Sequence, residues 1–309
     1  MDNQRPVAYA TLLTADSYLP GVLTVHASMV VAGCRYPLVV MATPSLSVEA
    51  RAALKGRGII VRDVETLRPD DGKHTLDAAD VRFGDTWTKL RAFELVEYER
   101  VVLIDADMIL RRPMDELFDF PLEDGWIAAA HVCACNPRKL QHYPTDWVPE
   151  NCAHNAVQGP HGAPPSPSAP NAPRPHRQLN SGTVVLQPSL DALGAIAHLI
   201  AASPLVPTFA FPDQDVLSHH YAGRWAALPW KYNALKTLRT VHRNVWSDDE
   251  VRCVHYIFSD KPWHVPRGRA GEYEEVNGWW WDVYEGLCRD MAESDPEGLA
   301  LMEKYVARA

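Results

Sequence analysis

The 309-residue sequence lacks several features that would assign it to a specialised class of protein. It has no apolar run long enough to span a bilayer, so we expect no membrane partner. It has no excess of positive charge: the formal net charge is −9, which argues against nucleic acid as the main partner. It also shows no internal repeat and no long run of like charges. The length suits one large α/β domain or two small ones.

The sequence opening and the cysteines indicate a reducing compartment. The first residues lack the charged start and apolar stretch of a signal peptide, and the six cysteines are scattered. We therefore expect a cytoplasmic protein with free thiols. Cys133 and Cys135, with His142, Cys152 and His154 nearby, could form a zinc knot. Their spacing fits no common zinc pattern, so buried or free thiols are the favoured interpretation.

The first half of the chain alternates strand and helix signals. We predict strands at 7–14, 37–41, 59–61 and 101–104, and helices at 18–32, 47–56 and 87–98. A strand at 183–187 and helices at 190–202 and 213–221 follow. Repeated strand–helix–strand units predict a mixed, mostly parallel sheet flanked by helices, in the style of nucleotide-binding domains.

Two segments stand apart from this alternation. Residues 155–177 are rich in proline and alanine and poor in bulky apolar side chains. We predict a mobile surface insertion there, because such residues cannot bury enough surface to offset the cost of ordering. Its position ahead of Asn180 makes it a candidate lid. A C-terminal aromatic helix is predicted at about 277–305.

Asp105-Ala106-Asp107 is the strongest candidate for chemistry. It directly follows the very apolar strand at 101–104, and ligand sites of parallel sheets lie beyond the carboxyl ends of strands. Two aspartates one residue apart can both bind one divalent cation. Phosphohydrolases of the haloacid dehalogenase type use a similar motif. There the motif usually opens the domain, with Ser or Thr after the second aspartate, whereas Met108 follows here.

Further motifs occur in a fixed order between about Val7 and Trp263. They lie at residues 10–18, 38–44, 88–90, 101–107, 179–182, 213–215 and 255–263. Jointly they resemble the glycogenin and galactinol synthase family of retaining glycosyltransferases, glycosyltransferase family 8. The resemblance implies one GT-A-type nucleotide-diphospho-sugar transferase domain over residues 1–309. It implies transfer of galactose or glucose from a UDP-sugar to a small polyol or sugar. The alternative within the family is a glycogenin-like self-glucosylating primer protein.

The resemblance also implies roles for individual residues. Asp105, Asp107 and His255 would bind the metal, with Mn²⁺ favoured over Mg²⁺ because an imidazole suits a softer ion. The implied donor-site residues are Leu12, Leu13, Thr14, Ala15, Tyr18, Lys89, Asp105, Ala106, Asp107, Asn180, Ser181, Gly182, Gln214, His255 and Lys261. The implied catalytic residues are Lys89, Asp213, Gln214 and Lys261.

Each of these roles has an ordinary structural alternative. His255 could be a buried core histidine, Lys89 a solvated helix lysine, and residues 213–215 acidic caps of a helix. Phe258 departs from the family pattern, which usually has glycine at that position. Arg82 does not match the spacing of the arginine in glycogenin, so the resemblance assigns it no role.

The acceptor is expected to be a small polyol such as inositol. In glycogenin the self-modified tyrosine follows a Tyr-Asn pair, which here is Tyr232-Asn233, and residues 234–246 contain no tyrosine. The next tyrosine, Tyr256, adjoins His255 and should be buried. Partners would then be small-molecule substrates, and a homodimer is compatible with the sequence.

Overall fold

The computed structural model describes residues 5–307, without the side chains of Ala79 and Arg82. The predicted domain bounds of 1 and 309 therefore lie outside the described residues. Among residues 5–307, none of the helices combines the length and the apolar composition that a membrane span requires.

Residues 5–307 form ten strands and seven α-helices. The strands are β1 (Val7–Leu13), β2 (Leu38–Ala42), β3 (Ile60–Asp63), β4 (Arg100–Ile104), β5 (Met108–Leu110), β6 (Ile127–His131), β7 (Leu179–Leu186), β8 (Trp225–Ala227), β9 (Ala234–Leu235) and β10 (Cys253–His255). The α-helices are α1 (Leu19–Ala32), α2 (Val48–Gly56), α3 (Leu190–Ala202), α4 (Pro212–His220), α5 (Leu238–Val241), α6 (Glu274–Ser294) and α7 (Pro296–Glu303).

Seven strands form one mixed sheet in the order β3-β2-β1-β4-β7-β6-β8. Strands β1 to β4 are parallel, and β7 is antiparallel to both of its neighbours, β4 and β6. The predicted mixed, mostly parallel sheet is confirmed. The predicted strands and helices of the first half lie within a few residues of the observed ones, apart from residues 87–98.

Both faces of the large sheet are buried, because β1 sends alternate side chains into two separate cores. Tyr9 packs in one core with Val22 of α1 and Trp280 of α6. Ala10 packs in the other core with Ile196 of α3. Helices on both faces therefore shield a sheet whose parallel strands are apolar on both sides, as parallel sheets require.

Local capping interactions fix one end each of α1 and α2. The hydroxyl of Ser47 accepts a hydrogen bond from the amide of Ala50 at 3.0 Å and so caps the start of α2. Gly33 ends α1 with a φ of 78°, a left-handed conformation that glycine adopts without steric cost.

The helix predicted at 87–98 is present, but it is shorter than predicted and is a 3₁₀ helix. The structure has a 3₁₀ helix at Thr86–Glu94, and the chain then leaves the helical conformation. The buried side chains of Trp87, Leu90 and Phe93 recur at every third residue, which is the repeat of a 3₁₀ helix. The spacing of three explains why this segment is a 3₁₀ helix and not an α-helix.

The predicted single helix at 277–305 is two helices, α6 and α7. Asp295 stands between them, and its carboxylate accepts a hydrogen bond from the amide of Gly298 at 2.9 Å. Asp295 also precedes Pro296, and a residue before proline is disfavoured in the α-helical conformation. The junction therefore breaks one helix and caps the next.

A small second sheet, in the order β5-β10-β9, holds the segments that carry the candidate site. In its register His255 lies opposite Met108 on one side and Leu235 on the other. The amide of Tyr256 donates to the carbonyl of Asp107 at 2.9 Å. The sheet thus brings His255 beside Asp107, although the two are distant in sequence.

Residues 155–177 form an irregular segment on the surface, with short 3₁₀ turns at Ala153–Ala156 and Arg174–Arg177 at its ends. Two carbonyls of the segment are hydrogen-bonded to the body of the protein. Pro160 accepts from the indole of Trp230 at 3.0 Å, and the His131 ring bonds Pro165 at 2.8 Å. The mobility of the segment and its role as a lid stay predictions.

Candidate active site

A cleft of about 1370 Å³ of empty volume, open mouth included, lies beyond the carboxyl ends of β1 and β4. This is the position expected for a ligand site of a parallel sheet. Most of the predicted site residues line it: Leu12, Thr14, Tyr18, Lys89, Asp105, Ala106, Asp107, Asn180, Ser181, Asp213, Gln214, His255 and Lys261.

Three predicted site residues do not line this cleft. The side chain of Leu13 is buried in a hydrophobic core, because alternate residues of β1 face opposite sides of the sheet. Ala15 is exposed beyond the end of the strand. Gly182 lies behind His255, as described below. A backbone contribution of these residues to nucleotide binding stays a prediction.

Asp105, Asp107 and His255 converge on one point. The Nε2 atom of His255 lies 3.5 Å from Oδ2 of Asp105 and 3.4 Å from Oδ1 of Asp107. One ligand atom from each residue lies within 4.8 Å of the others. Two carboxylates and an imidazole at this separation fit a divalent metal ion, as the sequence predicts.

A chain of hydrogen bonds sets the tautomer of His255. The amide of Gly182 donates to Oδ1 of Asn180 at 3.0 Å, which identifies that atom as the oxygen. Oδ1 of Asn180 also accepts from Nδ2 of Asn233 at 2.7 Å. Oδ1 of Asn233 is then left to accept from Nδ1–H of His255 at 2.9 Å. The lone pair of Nε2 therefore faces the two aspartates.

Gly182 makes room for this histidine. A β-carbon at Gly182 would lie 2.4 Å from Nδ1 of His255, closer than real β-carbons approach other atoms. The resemblance to the family implies that this glycine is a donor-site residue. In the structure the group that approaches it is the imidazole ring.

Asn180, Ser181 and Gly182 belong to β7, which begins four residues earlier than the predicted strand at 183–187. The register between β6 and β7 shifts there: Ala129 pairs with Val184, whereas Ala130 pairs with Asn180. Bulges of this kind redirect side chains next to functional sites. Here the bulge turns polar side chains toward the cleft.

Lys89 is buried, so the alternative of a solvated helix lysine is wrong. Its ammonium lies 2.7 Å from carboxylate oxygens of both Asp105 and Asp213, and 3.0 Å from the carbonyl of Ser181. Burial alone would lower the pKa of Lys89, but the two carboxylates outweigh it and raise the pKa. Lys89 is thus a fixed positive charge that joins Asp105 to Asp213.

Lys261 is the corresponding cation for Asp107. Its buried ammonium donates to Oδ2 of Asp107 and to the carbonyl of Tyr256. Burial alone would raise the pKa of Asp107, but the paired ammonium of Lys261 outweighs it and holds the pKa well below its usual value. Burial dominates at Asp105, where it raises the pKa.

These ion pairs leave the centre of the cleft negative. Three carboxylates, those of Asp105, Asp107 and Asp213, face the two ammonium groups of Lys89 and Lys261. The uncompensated negative charge is partly buried, which is costly unless a cation offsets it. A divalent ion bound by the aspartates would make the site positive and so favour an anionic ligand.

The two acidic residues at the start of α4 have different roles: Asp215 caps the helix, and Asp213 lines the cleft. Asp215 is the capping residue: its carboxylate accepts from the amide of Phe211 at 2.9 Å. Asp213 and Gln214 instead line the cleft. Oε1 of Gln214 accepts from Asn180 at 3.1 Å, while its Nε2 has no partner among the described residues. The capping alternative therefore holds for Asp215 alone.

The loop after His255 keeps a glycine-like conformation without a glycine. Phe258 has a φ of 74°, the left-handed region that bulky residues rarely adopt. The guanidinium of Arg138 lies 4.0 Å from the centre of the Phe258 ring, a cation–π contact that helps to hold it. Further along the loop, Trp263 packs edge-on against Tyr18, with ring centres 5.5 Å apart.

An aromatic wall of the cleft was missed by the sequence reasoning. We define it as Phe83, Tyr143, Trp147 and Phe211, all of which line the cleft. Trp147 and Phe211 stack with ring centres 5.1 Å apart, and Tyr143 meets both of them edge-on. The four residues come from three separate segments and share no motif, so no local signal could have grouped them.

The fold and the cleft are those expected of a nucleotide-sugar glycosyltransferase, and comparison with known proteins gives the family. The profile described as glycosyl transferase family 8 matches residues 10–266. The chain belongs to glycosyltransferase family 8 and is therefore a retaining glycosyltransferase. This membership replaces the phosphohydrolase alternative. Enzymes of this kind use nucleotide-sugar donors and usually a divalent metal.

Curated relatives and solved structures agree with this assignment. Galactinol synthase 2 of Arabidopsis thaliana is 27% identical over 295 residues, covering 92% of this chain and 82% of its own. Galactinol synthase 2 of Solanum lycopersicum is 28% identical over 296 residues, covering 93% and 82%.

The solved structures share the fold at lower identity. The galactosyltransferase LgtC, in complex with donor and acceptor sugar analogs, has a TM-score of 0.56 at 15% identity, covering 93% of this chain and 99% of its own. The bifunctional glycosyltransferase WbbM has a TM-score of 0.60 at 16% identity, and this chain spans 52% of its length. The domain has the GT-A fold of these enzymes.

Proposed function

We propose that the protein transfers galactose or glucose from a UDP-sugar to a small polyol such as inositol, with a divalent metal, preferably Mn²⁺. One observation carries the proposal. Nε2 of His255 and the carboxylates of Asp105 and Asp107 meet at the base of a cleft, at the carboxyl end of β4, in a family 8 glycosyltransferase. The galactinol synthases among its relatives are the basis for the polyol.

The donor would lie across the carboxyl ends of β1 and β4. Tyr18 offers a flat face for the uracil, supported from behind by Trp263. Asn180 and Ser181 present side-chain hydrogen-bonding groups at the position proposed for the hexose. The pyrophosphate would be held by the metal of Asp105, Asp107 and His255. Lys261 would contribute a second positive charge beside Asp107.

Transfer breaks the bond between the anomeric carbon and the β-phosphate oxygen, so negative charge develops on the leaving UDP. The bound metal would supply Lewis-acid stabilisation of that charge. Lys261 would add a fixed positive charge that is already desolvated, which strengthens its effect. Lys89 keeps Asp105 and Asp213 in place, and Asp213 and Gln214 would lie near the anomeric carbon.

Retention of configuration needs either a protein nucleophile or attack from the face that the leaving group occupies. Gln214 is a neutral amide and a poor nucleophile. Asp213 is paired with the ammonium of Lys89, and this ion pair lowers the nucleophilicity of the Asp213 carboxylate. We therefore favour front-face attack. The acceptor hydroxyl forms the new bond to the anomeric carbon and gives its proton to the departing phosphate oxygen.

Two features support a free acceptor over the protein itself. Tyr256 is fully buried and its hydroxyl donates to the carbonyl of Val276, so it is not available to a sugar donor. The aromatic wall offers the apolar faces on which the C–H surface of a polyol or sugar can pack. Tyr18 and Tyr143 do line the cleft, so self-glycosylation has to be tested directly.

The test is an incubation of the protein with Mn²⁺, inositol and either UDP-galactose or UDP-glucose. The soluble products and the intact mass of the protein are measured together. We expect a hexosyl-inositol that keeps the α configuration of the donor, with no change in protein mass. The variant Asp107→Asn serves as the inactive control. Hexose added to the protein, with none transferred to inositol, would replace the proposal with a self-glycosylating primer.

Six unpaired cysteines agree with the reducing, cytoplasmic location that we infer for this reaction. The homodimer stays a prediction.

A further inference from the structure

Three cysteines and a histidine form a second group of possible metal ligands, separate from the aspartate site, and one of them, Cys133, lines the same cleft. They are Cys133, Cys135, Cys152 and His242, and one ligand atom from each lies within 4.8 Å of the others. Nε2 of His242 is 3.5 Å from Sγ of Cys133, 3.2 Å from Sγ of Cys135 and 3.5 Å from Sγ of Cys152. Sγ of Cys133 and Sγ of Cys152 are 4.0 Å apart. We call these four residues the thiol cluster.

We propose that the thiol cluster binds one structural Zn²⁺ ion through three thiolates and the Nε2 atom of His242. In a tetrahedral zinc site the metal lies about 2.3 Å from sulfur and about 2.0–2.1 Å from nitrogen. These lengths place neighbouring sulfurs about 3.8 Å apart, and nitrogen about 3.5 Å from each sulfur. The three nitrogen–sulfur distances and the Cys133–Cys152 distance are close to these values, and all four ligand atoms lie within 4.8 Å of one another. The four atoms therefore surround a point suited to the ion.

The chemistry of the ligands selects zinc over the metal of the aspartate site. Three soft sulfurs and one imidazole form a complete tetrahedral set, which is typical of closed structural zinc sites. Mn²⁺ and Mg²⁺ prefer oxygen ligands and would be held at Asp105 and Asp107 instead. Cys152 and His242 are almost fully buried, Cys133 is buried at the wall of the cleft, and Cys135 is half-buried, so the site is largely shielded from solvent.

The cluster corrects the zinc knot considered from the sequence. Neither of the histidines suggested there takes part: His142 bonds Asp80 at 2.8 Å, and His154 bonds the carbonyl of His131 at 3.3 Å. The fourth ligand is His242, which follows α5 and stands 90 residues after Cys152. That separation is why no zinc spacing was visible in the sequence.

The position of the thiol cluster indicates a structural role for the ion. Cys133 and Cys135 follow β6. Cys152 lies at the far end of the loop at residues 136–151, and His242 belongs to a segment distant in sequence. The ion would therefore fasten three segments at one point and close both ends of the loop at residues 136–151. This loop carries Tyr143 and Trp147 of the aromatic wall. The proposed zinc thus fixes one side of the cleft and takes no part in the transfer.

Metal analysis of the protein, purified without chelators, tests the proposal. We expect about one equivalent of zinc per chain in the wild type, in Cys288→Ser and in Asp107→Asn. We expect none in Cys152→Ser or His242→Ala. Cys288 lies outside the cluster, so its variant controls for loss of a thiol. Asp107→Asn separates this site from the proposed catalytic metal, whatever the outcome for activity.

Two measurements on the wild type keep the test independent of how the variants fold. A mercurial reagent that titrates thiols should release one zinc, detected with a chelating dye. Protein produced with cobalt should show the thiolate-to-metal charge-transfer bands of a tetrahedral sulfur site. Zinc-free wild type, zinc retained in both cluster variants, or iron or copper in place of zinc would overturn the proposal. So would a disulfide within the cluster.

Discussion

Nδ1 of His255 lies 2.9 Å from Oδ1 of Asn233, and this hydrogen bond directs Nε2 toward Asp105 and Asp107. Asn233 is itself held by Asn180, whose orientation is set by a backbone amide. Partners of this kind fix the tautomer and orientation of metal-binding histidines. Asn233 precedes β9, and the pairing of β9 with β10 brings it to His255.

Replacement of the Asn233 side chain should therefore lower the metal affinity, although Asn233 is not itself a metal ligand. We expect Asn233→Ala to lower Mn²⁺ affinity by about 10- to 100-fold, the usual effect of losing such a partner. Asn233→Asp keeps an oxygen that can accept from His255 and should recover part of the affinity. A manganese titration of the three proteins measures this. Equal affinities would show that Asn233 only packs against the ring.

A methyl group at Gly182 should displace the imidazole. The β-carbon of Gly182→Ala would lie 2.4 Å from Nδ1 of His255, so the ring must move. We expect a folded protein with little metal affinity and little transferase activity. The matched control is Gly194→Ala in α3, where the added carbon meets nothing within 4 Å. That variant should keep its activity and gain about 0.5–1 kcal/mol of stability. Normal activity of Gly182→Ala would contradict the packing described here.

Lys261 should contribute to turnover through the leaving phosphate and not to binding of the nucleoside. We expect Lys261→Ala to lower kcat by about 10²- to 10³-fold, because a fixed charge at the leaving group is lost. Uridine, which has no phosphate, should bind the variant about as well as the wild type. Lys231→Ala removes a lysine that pairs with Glu250 outside the cleft and serves as the control. An equal loss in kcat and in uridine binding would make Lys261 structural.

Asp215 should make stability depend on pH. Burial raises the pKa of Asp215 to about 6, above the ordinary value of 3.8, so the folded state binds the proton more tightly than the unfolded state. This contribution is fully present below about pH 4 and is lost as the pH rises through about 6. Relative to Asp215→Asn, the wild type should lose about 2–3 kcal/mol between about pH 4 and pH 7. Denaturant titrations at both pH values measure it. A constant difference would contradict the raised pKa.

The sequence predicts those parts of the protein whose signals are local. An apolar strand followed at once by Asp105 and Asp107 predicts both the sheet and the metal position. His255 and Lys261 needed the ordered motifs of a known family as well, because a single histidine on an apolar strand has no local signature of binding. The predicted bounds of the first two helices, 18–32 and 47–56, are close to those observed, because the caps at Gly33 and Ser47 act within one turn.

The remaining features depend on contacts between distant segments. Asn233 approaches His255 only through the small sheet, and the need for Gly182 is visible only once His255 lies against it. His242 completes the thiol cluster from a segment 90 residues beyond Cys152. The apolar residues at 87, 90 and 93 are the exception: their spacing of three is a local signal of the 3₁₀ helix that the structure has there.

Calorimetric titration of UDP with and without Mn²⁺ tests the central claim most directly. The site has uncompensated negative charge between Asp105, Asp107 and Asp213, so UDP should bind weakly until a cation is present. We predict that Mn²⁺ strengthens UDP binding to the wild type, and that EDTA abolishes the gain. Asp107→Asn should weaken UDP binding in the presence of Mn²⁺ by at least about 2 kcal/mol of binding free energy. Undiminished UDP affinity in EDTA, with no effect of Asp107→Asn, would contradict the account.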